Sequence, residues 1–202
     1  MRRMRNVLTM DSPVETAMRE VHHSPAVTVR KASMLDIHPL LDLINGYAAQ
    51  GVMLPRTEFE MSENIRDFTL AWSGDELVGC GALHFYTPTS GEVRSLAVNP
   101  HVKSRGVGRK ILEALEREAR DCGLHTIFAF TYVTGFFEKL GFVVVERGEL
   151  PLKAWKDCLR CPKFSCCDET AVVKYLVENP VQYQEPENAL PGLIHLPVLR
   201  RS

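Results

Sequence analysis

Glu92-Val93-Arg94-Ser95-Leu96-Ala97-Val98-Asn99-Pro100-His101-Val102-Lys103-Ser104-Arg105-Gly106-Val107-Gly108-Arg109-Lys110 is the stretch on which the fold turns. Its first seven residues read as a strand, which Asn99-Pro100 stops because proline brings no N–H to a ladder. Gly106 and Gly108 then open a long amphipathic helix, with Ile111, Leu115, Ala119 and Cys122 recurring at helical spacing as far as about Asp121. A strand, a glycine loop and a helix start in that order gather unbonded backbone N–H groups at the positive end of the helix dipole. Such a place suits an anion. Lys103, Arg105, Arg109 and Lys110 add mobile positive charge around the same point. Two other phosphate motifs fit worse: a P-loop would end in Gly-Lys-Ser/Thr, and a dinucleotide fingerprint needs a third glycine where Ile111 stands. Taken alone, the two glycines also fit a plain helix start beside a solvated basic face.

Outward from this segment, strand and helix patterns alternate. Ala26–Arg30 is short and β-branched, and Ser33 with Asp36 marks a helix start whose apolar face is Ile37, Leu40, Leu41, Ile44 and Tyr47. Thr57, followed by Glu58 and Glu60, starts a second helix. Asp67–Trp72 and Glu76–Tyr86 flank the turn pair Gly74-Asp75 and predict an antiparallel hairpin. Thr126–Tyr132 is a continuous apolar strand; a short helix through Phe136, Phe137 and Leu140 stops at Gly141, and Phe142–Glu146 and Ala171–Leu176 supply the last strands. The order β, α, α, β, β, β, α, β, α, β, β predicts an α/β sandwich with helices packed on a mixed sheet.

The 202 residues, 45% of them hydrophobic, suffice for one sizeable core. Residues 1–26 and the proline-rich 178–202 are expected to be extensions around a domain spanning 27–177. With 24 Lys+Arg against 25 Asp+Glu, no global charge points to nucleic acid or an anionic membrane. The basic start Met1–Arg5 is not followed by an apolar segment, and no run is long enough to span a bilayer, so a cytoplasmic protein is expected. Cys80 and Cys122 sit within apolar patterns, where a reduced thiol packs as a small hydrophobe. Cys158, Cys161, Cys166 and Cys167 form C-x-x-C-x-x-x-x-C-C, an awkward spacing for a closed zinc site, and no metal is expected.

The segment from Glu92 to about Leu115 resembles the acyl-CoA-binding motif of the GNAT acetyltransferases, an R/Q-x-x-G-x-G/A loop behind a strand ending in a hydrophobic-x-V-x-P pattern. Lys103 stands at the Arg/Gln position and keeps a cation there. Phe130-Thr131-Tyr132-Val133-Thr134-Gly135-Phe136-Phe137-Glu138-Lys139-Leu140-Gly141-Phe142 resembles the strand, short helix and F-x-x-x-G-F ending that follow in that superfamily. The resemblance covers residues 27–176. It implies a GNAT acyl-CoA N-acyltransferase fold with a mixed central sheet of about six to seven strands and about four flanking helices. It also implies acetyl-CoA as co-substrate: the loop amides of Ser104, Arg105, Gly106, Val107, Gly108 and Arg109, with Lys103, would hold its diphosphate, while the Leu96, Ala97 and Val98 backbone would run along the pantetheine arm.

Within the superfamily, the N-acetylglutamate synthases are the nearest resemblance, including the short bacterial forms without an amino-acid kinase domain. Gly51-Val52-Met53-Leu54-Pro55-Arg56-Thr57 resembles their G-x-L-V-R-R-S substrate segment, with Pro55 replacing one Arg; Leu54 and Arg56 carry over as acceptor-site candidates. Leu150-Pro151 with Lys163-Phe164-Ser165 resembles their L-P … R-K-S ending, which adds Lys163 and Ser165. Glutamate carries two carboxylates and one α-ammonium, so its pocket needs cations, for which Arg94 is a further candidate, and a route for deprotonation.

The implied chemistry is direct transfer, with Glu92 as base through water, the Leu96 amide stabilising the oxyanion, and Tyr132 as the phenol nearest the departing thiolate. Many GNAT enzymes carry a Tyr on the short helix where this chain has Phe136-Phe137. A single small-molecule acceptor, glutamate first, fits these features, and a homodimer is compatible with them. Acetylation of another small amine or of a protein amine, and a non-catalytic acyl-CoA- or metal-binding regulator, stay open at the level of sequence.

Overall fold

The computed structural model describes residues 26–102, 106–150, 161, 163 and 166–181. Most of both expected extensions, the loop residues Lys103, Ser104 and Arg105, and Ser165 and Cys158 lie outside them.

Among the described residues seven strands form one sheet: β1 (Val27–Lys31), β2 (Phe68–Ser73), β3 (Glu76–Thr87), β4 (Ser90–Val98), β5 (Thr126–Thr131), β6 (Val143–Val144) and β7 (Thr170–Tyr175). Their spatial order is β1-β2-β3-β4-β5-β7-β6, antiparallel throughout except for β4 beside β5. Four α-helices join them: α1 (Ile37–Ala48), α2 (Glu58–Asn64), α3 (Val107–Asp121) and α4 (Thr134–Glu138). The element order is the one the sequence predicts. The strand expected over 142–146 shortens to two residues, and Tyr132 falls just beyond β5 rather than within it.

The sheet is buried on both faces. On one, Val107, Ile111, Leu112, Leu115 and Ala119 of α3 pack with Val78, Leu83 and Val93. On the other, Ile37, Leu40 and Ile44 of α1 and Met61 of α2 pack with Leu70, Cys80 and Ala82. Each fully buried Leu or Ile contributes about 1.5–3 kcal/mol of transfer free energy. Gly79 and Gly81 let α3 lie close to β3, since a Cβ at either would stand 2.9 Å from an Ile111 methyl.

Cys80 is buried as expected, and burial pushes its thiol up to about 12, which removes it as a nucleophile. Cys122 corrects the expectation. The helix ends at Asp121, and Cys122, at its C-cap, is exposed.

Both predicted helix starts carry capping boxes. Thr57 Oγ1 accepts from the Glu60 N–H at 3.2 Å, and the Glu60 carboxylate accepts from the Thr57 N–H at 3.0 Å. Asp36, buried, accepts from the Ser33 N–H and hydroxyl at 2.8 Å each, and from both terminal nitrogens of Arg30 at 2.8 Å. The Arg30 guanidinium holds this carboxyl well below the usual carboxylate range.

A depressed folded-state pKa gives stability that is complete above the unfolded value of about 4 and drains away as pH falls below it. Asp36→Asn is expected to cost about 1–2 kcal/mol at neutral pH. In thermal melts the gap to the native chain should narrow from about pH 5 toward pH 2. A constant gap would contradict the coupling to Arg30.

Candidate active site

The site begins where β4 and β5 part. Their parallel pairing covers only Ser90–Thr126, Gly91–Ile127 and Glu92–Phe128. Beyond Glu92, β4 stays with β3 while β5 stays with β7 as far as Thr131. The two middle strands fork, and a cleft of about 1140 Å³ opens between them.

A β-bulge shapes the β4 wall. Arg94 pairs with Ala82 and Ala97 with Cys80, so Ser95 and Leu96 share the space opposite Gly81, and Ser95 takes a left-handed φ of 53°. Before the bulge Val93 faces α3, which turns Glu92 and Arg94 toward α1 and α2; after it, Leu96 and Val98 face α3 and Ala97 is buried against α1. The Asn99 N–H donates to the Val78 carbonyl on β3. Alternation along the strand therefore turns the peptide groups of Val98 and Leu96 away from β3, into the fork. The Tyr47 hydroxyl donates to the Val98 carbonyl at 2.6 Å and ties this wall to α1.

The floor is the start of α3. Gly106 is its N-cap at φ 78°, a conformation that favours glycine; the Lys110 N–H donates to the Gly106 carbonyl, and the Val107, Gly108 and Arg109 N–H groups form the first turn. Gly108 has ordinary helical geometry. A Cβ there would make ordinary contacts with Phe136 of α4 at 3.4 Å and Val98 at 3.5 Å. The Arg109 guanidinium lies 3.6 Å from Glu113 on the exposed side.

Glu92 is 8% exposed and stands in the last rung before the fork, opposite His84 on β3 and Phe128 on β5. It lines the cleft, as does Arg94. The Arg94 guanidinium donates to Asn64 Oδ1 at 3.4 Å and lies 3.7 Å from the Asp67 carboxylate, which in turn is 2.7 Å from His84 Nδ1. Leu54 and Arg56, from the loop between α1 and α2, line the same cleft.

At the far wall Tyr132 is 41% exposed, and Lys163 Nζ donates to its hydroxyl at 3.2 Å. Burial pushes the phenol above its ordinary value, opposed by the Lys163 bond. The ammonium also lies 3.6 Å from Asp168 and 4.9 Å from the Tyr132 ring centroid. Two groups not singled out by sequence share this wall: Arg147, which donates to the backbone carbonyls of Cys167 and Glu169, and Glu169, whose carboxyl burial pushes up. No periodic pattern marks either. Among the described residues no cluster of three His, Cys, Asp or Glu could hold a metal, and no helix is long and apolar enough to cross a membrane.

Residues 37–142 match the family model described as Acetyltransferase (GNAT) family. The chain belongs to the GNAT family. This GNAT chain is 38% identical over 148 residues to an uncharacterized N-acetyltransferase of Chlorobaculum tepidum, covering 73% of itself and 96% of that protein. It is 34% identical over 121 residues to an amino-acid acetyltransferase of Mycobacterium tuberculosis, covering 58% of itself and 69% of that protein. Among solved structures it resembles N-acetylglutamate synthase from Neisseria gonorrhoeae, complexed with coenzyme A and N-acetyl-glutamate. That match has a TM-score of 0.69 at 27% identity and covers 75% of this chain but 35% of the other.

The GNAT domain is that of an acetyl-CoA-dependent N-acetyltransferase related to the amino-acid acetyltransferases. The cleft fits this co-substrate: outward-turned peptide groups on β4 face the fork, and the α3 N-terminus closes its end with its first-turn N–H groups.

Proposed function

We propose that this GNAT enzyme acetylates the α-amine of L-glutamate, the entry reaction of arginine biosynthesis. The observation that carries the reading is the convergence on one cleft of two arginines, Arg56 and Arg94, a buried carboxylate, Glu92, and the outward-turned amides of β4. Two cations suit the two carboxylates of the acceptor, and they come from different walls, so they can bind groups separated by the length of a glutamate. The amino-acid acetyltransferase relatives add support from outside the geometry.

In this reading the Val107, Gly108 and Arg109 amides, with Lys103, Ser104 and Arg105 before them, hold the diphosphate of the donor. Leu96, Ala97 and Val98 line its pantetheine arm. Once bound, the donor supplies an acetyl thioester carbonyl at the fork. Glu92 takes a proton from the acceptor ammonium through a water molecule, and the amine nitrogen forms its bond to the carbonyl carbon. The Leu96 N–H faces the oxygen on which negative charge develops. As the carbon–sulfur bond breaks, the Tyr132 hydroxyl gives its proton to the departing sulfur, and the second proton leaving the nitrogen as the amide forms returns through water to the phenolate. A phenol holds its proton at neutral pH, and the Lys163 ammonium on the phenol oxygen stabilises the phenolate that forms. Lys163 thus serves the leaving-group side, and Leu54 and Ser165 complete the acceptor pocket.

The test is a CoA-thiol release assay across a panel of amino acids, with product identification by mass. Glutamate-dependent release with formation of N-acetylglutamate is expected. Release that depends on another amine and not on glutamate would overturn the substrate assignment.

A further inference from the structure

The side chain of Asn45 makes an arrangement that the reaction above does not use. Asn45 sits in the last full turn of α1, where its Oδ1 accepts from the Arg56 N–H at 2.9 Å and its Nδ2 donates to the Arg56 carbonyl at 3.0 Å. A primary carboxamide offers a donor and an acceptor side by side, so it engages both backbone groups of one residue as a neighbouring strand would. The helix itself gains nothing from asparagine, which is a poorer helix former than alanine. What the carboxamide fixes is the loop.

Other contacts hold the two ends of that loop. Gly51, at φ 71°, turns the chain out of α1, with its N–H on the Ala48 carbonyl. Thr57 secures the far end through its capping box with Glu60. Between these two points lies Pro55, which has no N–H to give. Leu54 and Arg56, the two loop residues assigned to the acceptor, lie beside it on the cleft. Two residues further along the same helix, Tyr47 bonds to Val98 of β4. One end of α1 therefore carries both the loop and the opposite wall.

We propose that Asn45 is a positioning residue for the acceptor side: by fixing the Arg56 peptide it sets where the Arg56 guanidinium and the Leu54 side chain stand in the cleft. This rests on the assignment of Arg56 to the acceptor. Two neutral hydrogen bonds lost together correspond to an increase of about 10-fold in the acceptor KM.

The test is Asn45→Ala, assayed in steady state with glutamate and acetyl-CoA and followed without ligands by hydrogen exchange. Exchange of the amides of residues 53, 54, 56 and 57 should quicken by about 10-fold or more, while those of β4 and α3 stay unchanged. The glutamate KM should rise about 10-fold with the acetyl-CoA KM unmoved, and in an Arg56→Ala background the same change should add less than about 2-fold. Asn45→Asp, which keeps the acceptor and loses the donor, should fall between. Unchanged loop exchange, an acetyl-CoA KM that rises in step, or full additivity with Arg56→Ala would overturn the proposal. Because alanine favours the helix, a folding defect in α1 does not imitate the expected result. A native enzyme that ignores glutamate would sink the substrate assignment, and the exchange measurement would still decide the role of Asn45.

Discussion

Glu92→Gln is expected to lower kcat with glutamate by about 10²–10⁴-fold while the protein remains folded. The substitution keeps the shape of the side chain and its capacity to hydrogen-bond, and removes only the ability to accept a full proton. Glu92 is 8% exposed at the point where β4 and β5 separate, so its carboxylate faces the reaction space rather than bulk water. A carboxylate that merely pairs with a neighbouring charge would affect melting temperature far more than turnover. The pH dependence separates the two roles. With the base present, activity falls on the acid side as the carboxylate protonates; without it, the residual rate should follow only the free-amine fraction of the substrate and rise steadily with pH. An unchanged rate and profile would remove Glu92 from the chemistry.

What the sequence makes legible follows the range of the interaction. The capping boxes of Ser33 with Asp36 and Thr57 with Glu60 lie three residues apart; the first opens the 3-10 turn Met34–Asp36 that runs into α1, and the second opens α2. Periodicity finds the apolar faces of α1 and α3 and the end of α3 at Asp121, but it counts Cys122 as apolar-face, whereas at the C-cap that side chain is exposed. Register is not written in either strand alone. The bulge at Ser95 and Leu96, which turns Glu92 and Arg94 to one face and Val98 to the other, exists only against Gly81 on β3. The fork is likewise a property of four strands together, β3 and β4 against β5 and β7. Contacts from a side chain to a distant backbone leave no trace in a pattern: Tyr47 reads as one more apolar position of α1, and its hydroxyl lies on Val98, 51 residues away. For Lys163, an acceptor candidate in the sequence, the added contact is equally invisible in a pattern: its ammonium lies on Tyr132 and Asp168.

Arg94→Ala is expected to raise the glutamate KM by about 10–100-fold, with the acetyl-CoA KM nearly unchanged, since a charged hydrogen-bond partner is worth about 1.5–3 kcal/mol. Arg94 is the stronger of the two candidate cations because the fold has already restricted it. Its side chain is 12% exposed, with Asn64 and Asp67 on one side of the guanidinium and the cleft on the other. Less rotamer entropy is therefore lost when it binds a carboxylate. Arg94→Lys keeps the charge but gives up the planar fork, so its KM should lie between those of the native and Ala enzymes. The comparison also tests which wall reads which carboxylate. An acceptor with the side-chain carboxylate replaced by an amide should lose most of its discrimination in one of Arg94→Ala and Arg56→Ala, and little in the other. If both substitutions blunt that discrimination equally, the two arginines act as one diffuse positive field, and the two-point recognition of glutamate is wrong.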